Sequence, residues 1–170
     1  MKIGVISDTH GYVDDQILKY FGKVDEIWHA GDFGNWDVVE KLQCFKPLIG
    51  VYGNIDGHEI RQSFPEQIHI EREGLSIWMI HIGGAPPKYN TKVKKLLQQS
   101  KPDIMVCGHS HILKVMADPN HDKMLYINPG AAGKHGFHKM RTMLRFEINN
   151  GKPANMEVIE LGKRGMLEKS

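Results

Sequence analysis

Apolar residues come in short runs, and in the first half of the chain these alternate with stretches of helical spacing. Lys2–Ile6 is apolar and β-branched and stops at Ser7-Asp8, which predicts a strand. Ile17, Leu18 and Phe21 predict a helix over 14–21 with Gly22 as its stop. A second strand is expected over 26–30, ending in Gly31-Asp32. A second helix is expected over 36–44, capped by Asn35 or Asp37. A third strand is expected over 47–52, ending in Gly53-Asn54. Strands alternating with helices imply parallel pairing through right-handed crossovers.

The middle changes character. Gln67–Arg72 and Leu75–Ile80 flank Glu73-Gly74 and predict a hairpin. Residues 90–100 predict an amphipathic helix whose lysines Lys92, Lys94 and Lys95 form a solvated face. A strand over 103–107 ends in Gly108-His109. Strands follow over 113–117, 123–127, 141–148 and 154–161, with a turn at Asn149-Asn150-Gly151 between the last two. Neither a repeat nor a linker interrupts the chain, so a single domain over 1–170 is expected, with 161–170 as a fraying tail.

The strand ends carry the chemistry. Asp8 and His10, Asp32, Asn54, His81, and His109 with His111 each fall where a predicted strand stops. Ligands of open α/β sheets bind beyond the carboxyl ends of the strands, so residues far apart in sequence would meet at one rim. Carboxylates, an amide oxygen and imidazoles together suit first-row divalent ions. The chain has ten histidines, and four of them fall in this set.

Composition narrows the field. Lys+Arg 22 against Asp+Glu 20 leaves a net charge of +2, which gives no ground for nucleic-acid binding. No apolar stretch is long enough for a membrane helix, and the opening segment lacks the apolar core of a secretory leader. Cys44 and Cys107 sit in apolar contexts and read as reduced, buried thiols of a cytoplasmic protein.

Asp-Thr-His at 8–10, Gly-Asp at 31–32, Gly-Asn-Ile-Asp at 53–56, His81, and Gly-His-Ser-His at 108–111 follow one another in a specific order. In that order they resemble the calcineurin-like metallophosphoesterases, in particular the small YfcE-like phosphodiesterases. The resemblance runs from Met1 to about Gly130. It implies an α/β fold, a four-layer α/β/β/α sandwich of two mixed sheets. It also implies two divalent ions per chain, manganese first, with nickel, iron and zinc as alternatives. Asp8, His10 and His111 would hold the first ion. Asn54, His81 and His109 would hold the second, and Asp32 would bridge both. The implied activity is a metal-dependent phosphodiesterase acting on a small phosphoester by in-line attack of a hydroxide shared between the ions, without a protein nucleophile. A homodimer or higher oligomer is also implied.

The sequence departs from the family in three places. Larger relatives carry a histidine where Ile55 stands, placed to protonate the leaving group; His58 is the available helper. The second histidine of an H-G-H segment is missing after His81. Asn128-Pro129-Gly130-Ala131 lacks a final serine. His29 reads as core, with contact to a ligand from behind, in the manner of outer-sphere partners, as the alternative. His69, His121, His135 and His138 read as surface residues, the last two within reach of the cleft, and Lys88-Tyr89 as a solvated loop. Two further readings compete: a phosphomonoesterase, and a catalytically silent scaffold like the retromer subunit that shares this fold.

Overall fold

The computed structural model describes residues 1–165. One five-stranded sheet is built from β1 (Lys2–Ile6), β2 (Glu26–His29), β3 (Leu48–Gly50), β11 (Met140–Asn149) and β12 (Lys152–Lys163), in the order β12-β11-β1-β2-β3. Strands β1, β2 and β3 are parallel, and β11 runs antiparallel to both β1 and β12. A second five-stranded sheet contains β4 (Gln67–Arg72), β5 (Leu75–Ile80), β8 (Ile104–Val106), β9 (Leu113–Asp118) and β10 (Met124–Pro129), ordered β4-β5-β8-β10-β9. Its central strands β5, β8 and β10 are parallel, and β4 and β9 are antiparallel edges. Both sheets are therefore mixed.

Alternating burial decides how the layers stack. Ile3, Val5 and Trp28 from the first sheet meet Ile77, Met79, Val106 and Ile127 from the second, so the two sheets face one another. On the far side of the first sheet, Ile6 and Ile27 pack against α1 (Asp15–Phe21) and α2 (Trp36–Phe45) through Ile17, Phe21, Val38 and Leu42. On the far side of the second, Trp78, Ile80 and Met105 receive Val93 and Leu97 of α4 (Thr91–Gln99). The result is helix, sheet, sheet, helix, the four-layer arrangement expected from the sequence.

Helix starts follow their caps. Asp14, Asn35 and Asn90 each accept a hydrogen bond from the backbone N–H three residues on, so these residues precede their helices rather than open them. Asn35, not Asp37, caps α2.

Three expectations need correction, and one short helix went unread in the sequence. The segment after Asn54 forms a short helix, α3 (His58–Ser63), whose single buried residue Ile60 is too weak a periodic signal to read. Lys88-Tyr89 is not a solvated loop: it forms β7 (Lys88–Tyr89), paired with β6 (Gly84–Ala85), and Tyr89 is buried with its hydroxyl donating to Asp118 Oδ2 at 2.7 Å. Cys44 is exposed at the end of α2, whereas Cys107 is buried. The chain does not begin to fray at Leu161, which is only 4% exposed, because β12 stays paired to Lys163 opposite Met140. Residues 166–170 lie outside the described residues.

The buried Asp118 carboxylate takes hydrogen bonds from Tyr89 and, at 2.8 Å, from the His121 ring. Replacing Tyr89 by Phe removes one donor from a buried anion. The expected cost is about 1–3 kcal/mol, read as a lowered denaturant midpoint at an unchanged slope.

Candidate metal centre

Every strand that ends at the site is paired in parallel, β3 at the edge of its sheet and the others inside. Asp8 and His10 follow β1, Asp32 follows β2, Asn54 follows β3, His81 follows β5, and His109 and His111 follow β8. The facing sheets bring these seven side chains to one edge. Asp8, His10 and His111 form one compact group, and Asp32, His81 and His109 a second. Asn54 Oδ1 joins the second, 2.9 Å from His109 Nδ1 and 3.2 Å from His81 Nε2. Asp32 Oδ2 faces both, 3.2 Å from His81 Nε2 and 3.8 Å from His10 Nε2.

The backbone aims these side chains by leaving ordinary strand geometry. Asp8, His10, Asp32, His109 and His111 all have positive φ, between 47° and 67°. Such conformations are uncommon outside glycine and cost about 1–3 kcal/mol each. In the H-x-H segment they send His109 and His111, which an extended chain would point the same way, to different groups, while Asp8 and His10 stay in one. Glycines make the close approaches possible. A Cβ on Gly53 would lie 2.0 Å from Asp32 Oδ1, and one on Gly31 would lie 2.5 Å from the His81 ring.

The loops also tie one another down. Asp8 Oδ2 accepts from the Ser7 hydroxyl at 2.6 Å and from the His109 N–H at 3.1 Å. Asp32 Oδ1 accepts from the Ile55 N–H at 3.0 Å. Asp56 accepts from the N–H groups of Gly34 and Gly53, both at 2.8 Å. The Arg61 guanidinium donates to the carbonyls of Gly53, Asn54 and Asp56. Asn128 donates to the Gly108 carbonyl and the Ser110 hydroxyl. Asp56, Arg61 and Asn128 are supports whose role sequence reading did not assign; Asp56 and Asn128 were visible only as members of the Gly-Asn-Ile-Asp and Asn-Pro-Gly-Ala segments.

The donor set fits a cation. Asp8 Oδ1 is buried and makes no hydrogen bond, although the Nε2 atoms of His111, His10 and His81 lie 3.1, 3.9 and 3.9 Å away. His81 Nδ1–H donates to the Ala30 carbonyl at 2.7 Å, which leaves the Nε2 lone pair of the neutral ring facing the carboxylates. Burial alone would lower the His81 pKa, but the Asp32 hydrogen bond and the Asp8 and Asp32 charges outweigh it and hold it above its ordinary value. A proton there satisfies the same oxygens as a metal ion. Burial would raise the Asp32 pKa, but the His81 contacts and the Ile55 N–H keep it low. Burial lowers that of His10 against the pull of Asp32 and Asp8.

The remaining histidines separate clearly. His29 is fully buried, stacked on Phe33 with ring centroids 3.6 Å apart. It accepts from the Gly31 N–H and contacts Thr9 Oγ1, and burial drives its pKa well below 6.5. His58 is exposed at the start of α3. His135 is exposed, its ring centroid 6.4 Å from that of His10. His138 is no free surface residue: its ring lies against His111. A cavity of about 320 Å³ opens beside Asn54 and His81, walled by Tyr52, Arg61, Ile82 and Lys92.

Residues 1–151 match the model of the calcineurin-like phosphoesterase superfamily domain, and the chain belongs to that superfamily. It is 30% identical over 139 residues, 77% of each chain, to a probable metallophosphoesterase of Methanothermobacter thermautotrophicus. It is 25% identical over 146 residues to a phosphodiesterase of Methanocaldococcus jannaschii, covering 76% of this chain and 83% of the relative. Two solved structures share the fold with a TM-score of 0.74, each covering 95% of this chain and 100% of its own. One is an archaeal phosphodiesterase at 22% identity, the other a Vps29 mutant of Entamoeba histolytica at 18%.

The glycine contacts give a direct check. Gly53→Ala should weaken Mn²⁺ binding at least tenfold, about 1.4 kcal/mol, in a calorimetric titration. Gly57→Ala should leave it unchanged, because nothing lies within 4 Å of a Cβ there.

Proposed function

We propose that the chain is a metal-dependent phosphodiesterase. In this reading Asp8, His10 and His111 hold one divalent ion, Asn54, His81 and His109 hold another, and Asp32 contacts both. The observation that carries it is the buried, unpartnered Asp8 Oδ1 surrounded by imidazole nitrogens, an arrangement that costs stability unless a cation completes it. Bound divalent ions would supply neutralisation of the phosphate charge and a water acidified enough to attack near neutral pH.

The protein groups have separate tasks. Asp32 is set by its Oδ1 contact to the Ile55 N–H, so Oδ2 stays turned to the site. Neutral imidazoles hold cations without adding negative charge, so an anionic substrate can approach. The cavity beside Asn54 and His81 offers room for one ester arm of a small phosphoester, with Arg61 and Lys92 on its wall. Ile55 is 45% exposed at the third motif and has no proton to give. The leaving oxygen must therefore depart largely as an anion, unless another group such as His58 protonates it. Exposed Ile82, Ile112 and Phe137 near the same edge favour a second reading, an interaction scaffold.

Hydrolysis of bis(p-nitrophenyl) phosphate by Mn²⁺-loaded protein, beside the corresponding monoester, tests the proposal. Faster turnover of the diester is expected. Bound metal with neither ester cleaved would favour the scaffold. Asp32→Asn should lower turnover more than tenfold, at least about 1.4 kcal/mol of barrier.

Rate should also fall steeply with the basicity of the leaving alcohol, aryl diesters reacting far faster than alkyl ones, because general acid help is worth about 10²–10⁴-fold. Ile55→His should gain most on the poorest leaving groups. A flat profile where chemistry limits turnover would show that another acid acts, and a steeper profile in His58→Ala would identify it.

A further inference from the structure

The loop between β10 and β11 supplies none of the seven candidate ligands, yet it is fastened to the strand ends that carry them. The Ala132 N–H donates to the Ser7 carbonyl and the Gly133 N–H to the Asp8 carbonyl, both at 3.0 Å. Arg141 Nε donates to the Ala132 carbonyl at 2.6 Å, and Arg164 Nε to the His138 carbonyl at 3.1 Å. Gly136 faces His111 so closely that a Cβ there would lie 2.2 Å from His111 Nδ1. This anchoring brings the His138 ring edge-on to His111, with centroids 5.1 Å apart.

The hydrogen-bond chemistry of the two rings then follows in one direction. His138 Nε2 lies 3.0 Å from the Gly133 carbonyl oxygen, which can only accept, so Nε2 carries a proton. A neutral ring protonated there has its lone pair on Nδ1. That atom is 3.2 Å from His111 Nδ1, so His111 Nδ1 must donate. With its proton on Nδ1, His111 keeps a lone pair on Nε2. Nε2 is the atom 3.1 Å from Asp8 Oδ1 and 3.3 Å from His10 Nε2.

We propose that His138 is a positioning residue, which fixes the tautomer and ring orientation of His111 so that Nε2 is presented to the first metal ion. Ala30 does the same for His81 through a carbonyl oxygen. His138 does it through an imidazole acceptor, itself fixed by Gly133. Such outer partners orient metal-binding histidines, and losing one weakens binding about 10–100-fold. The inference rests on the metal-centre reading above. It predicts an unequal effect on the two ions, because His81, His109 and Asn54 have no contact with this loop among the bonds described.

The test combines metal binding with a measurement on the unaltered protein. Long-range ¹H–¹⁵N spectra of the metal-free protein should show His111 protonated at Nδ1 and His138 at Nε2; His111 protonated at Nε2 instead would overturn the proposal without any variant. In two-site calorimetric titrations with Mn²⁺, His138→Phe should weaken one site about 10–100-fold and leave the other unchanged. His138→Asn, whose amide oxygen stands near the Nδ1 position, should recover part of that loss. Equal weakening of both sites, no weakening, or an Asn variant no better than Phe would each refute the role. Failure of the unaltered protein to bind Mn²⁺ would instead refute the metal-centre reading itself.

Discussion

The molecule is organised around one buried carboxylate with half of its hydrogen-bonding capacity used. Asp8 lies at the end of β1 in one sheet, and its Oδ2 accepts from the His109 N–H beyond β8 in the other. That bond, with the Ser7 hydroxyl, joins the carboxyl ends of two facing sheets. Oδ1 is left free of hydrogen bonds and turned to the imidazoles. The apolar interface between the sheets sets their distance. Asp8 sets which of their ends meet, and hence that residues from five strands share one small volume.

This convergence conflicts with local preference. Five of the seven candidate ligands sit at positive φ, each about 1–3 kcal/mol unfavourable. Taken together, such terms rival the net stability of a domain, about 5–15 kcal/mol. The surrounding structure must over-determine the conformation, and the contacts show how. Gly31, Gly53 and Gly108 remove the side chains that would otherwise push ligands apart. Asp56, Arg61 and Asn128 spend their hydrogen bonds on loop backbone rather than on solvent. The three apolar clusters on either side of the sheets supply the offsetting stabilisation.

Why so much of this was readable from sequence has a physical answer. Strands β1, β2, β5 and β8 are short apolar runs closed by a polar cluster, and the right-handed crossover rule gathers such ends at one edge. Each motif residue was therefore placed by its own strand. Features that depend on distant backbone carry no local mark. Tyr89 looked solvated because its partner Asp118 lies across the second sheet. His138 looked like one more surface histidine because its partner, His111, is 27 positions away and both of its own bonds leave no pattern in neighbouring residues. Cys44 misled in the opposite direction: apolar neighbours on a helix do not put every position on the buried face.

A shared fold does not by itself assign this chain a task, because function follows the site. The site itself offers a weighing. Replacing a buried ionic cluster by well-packed apolar side chains is often neutral or stabilising, by about 1–4 kcal/mol. A protein that needed only the surface of this fold would gain from such a replacement and could relax five left-handed residues as well. This chain keeps two buried carboxylates, an unsatisfied Asp8 oxygen and imidazoles whose far nitrogens are tied to Ala30 and His138. The tied nitrogens matter most. A bond on the far side of a ring satisfies a buried N–H, and it also decides which nitrogen presents a lone pair; a lone pair directed at a carboxylate is repulsive until a cation lies between them.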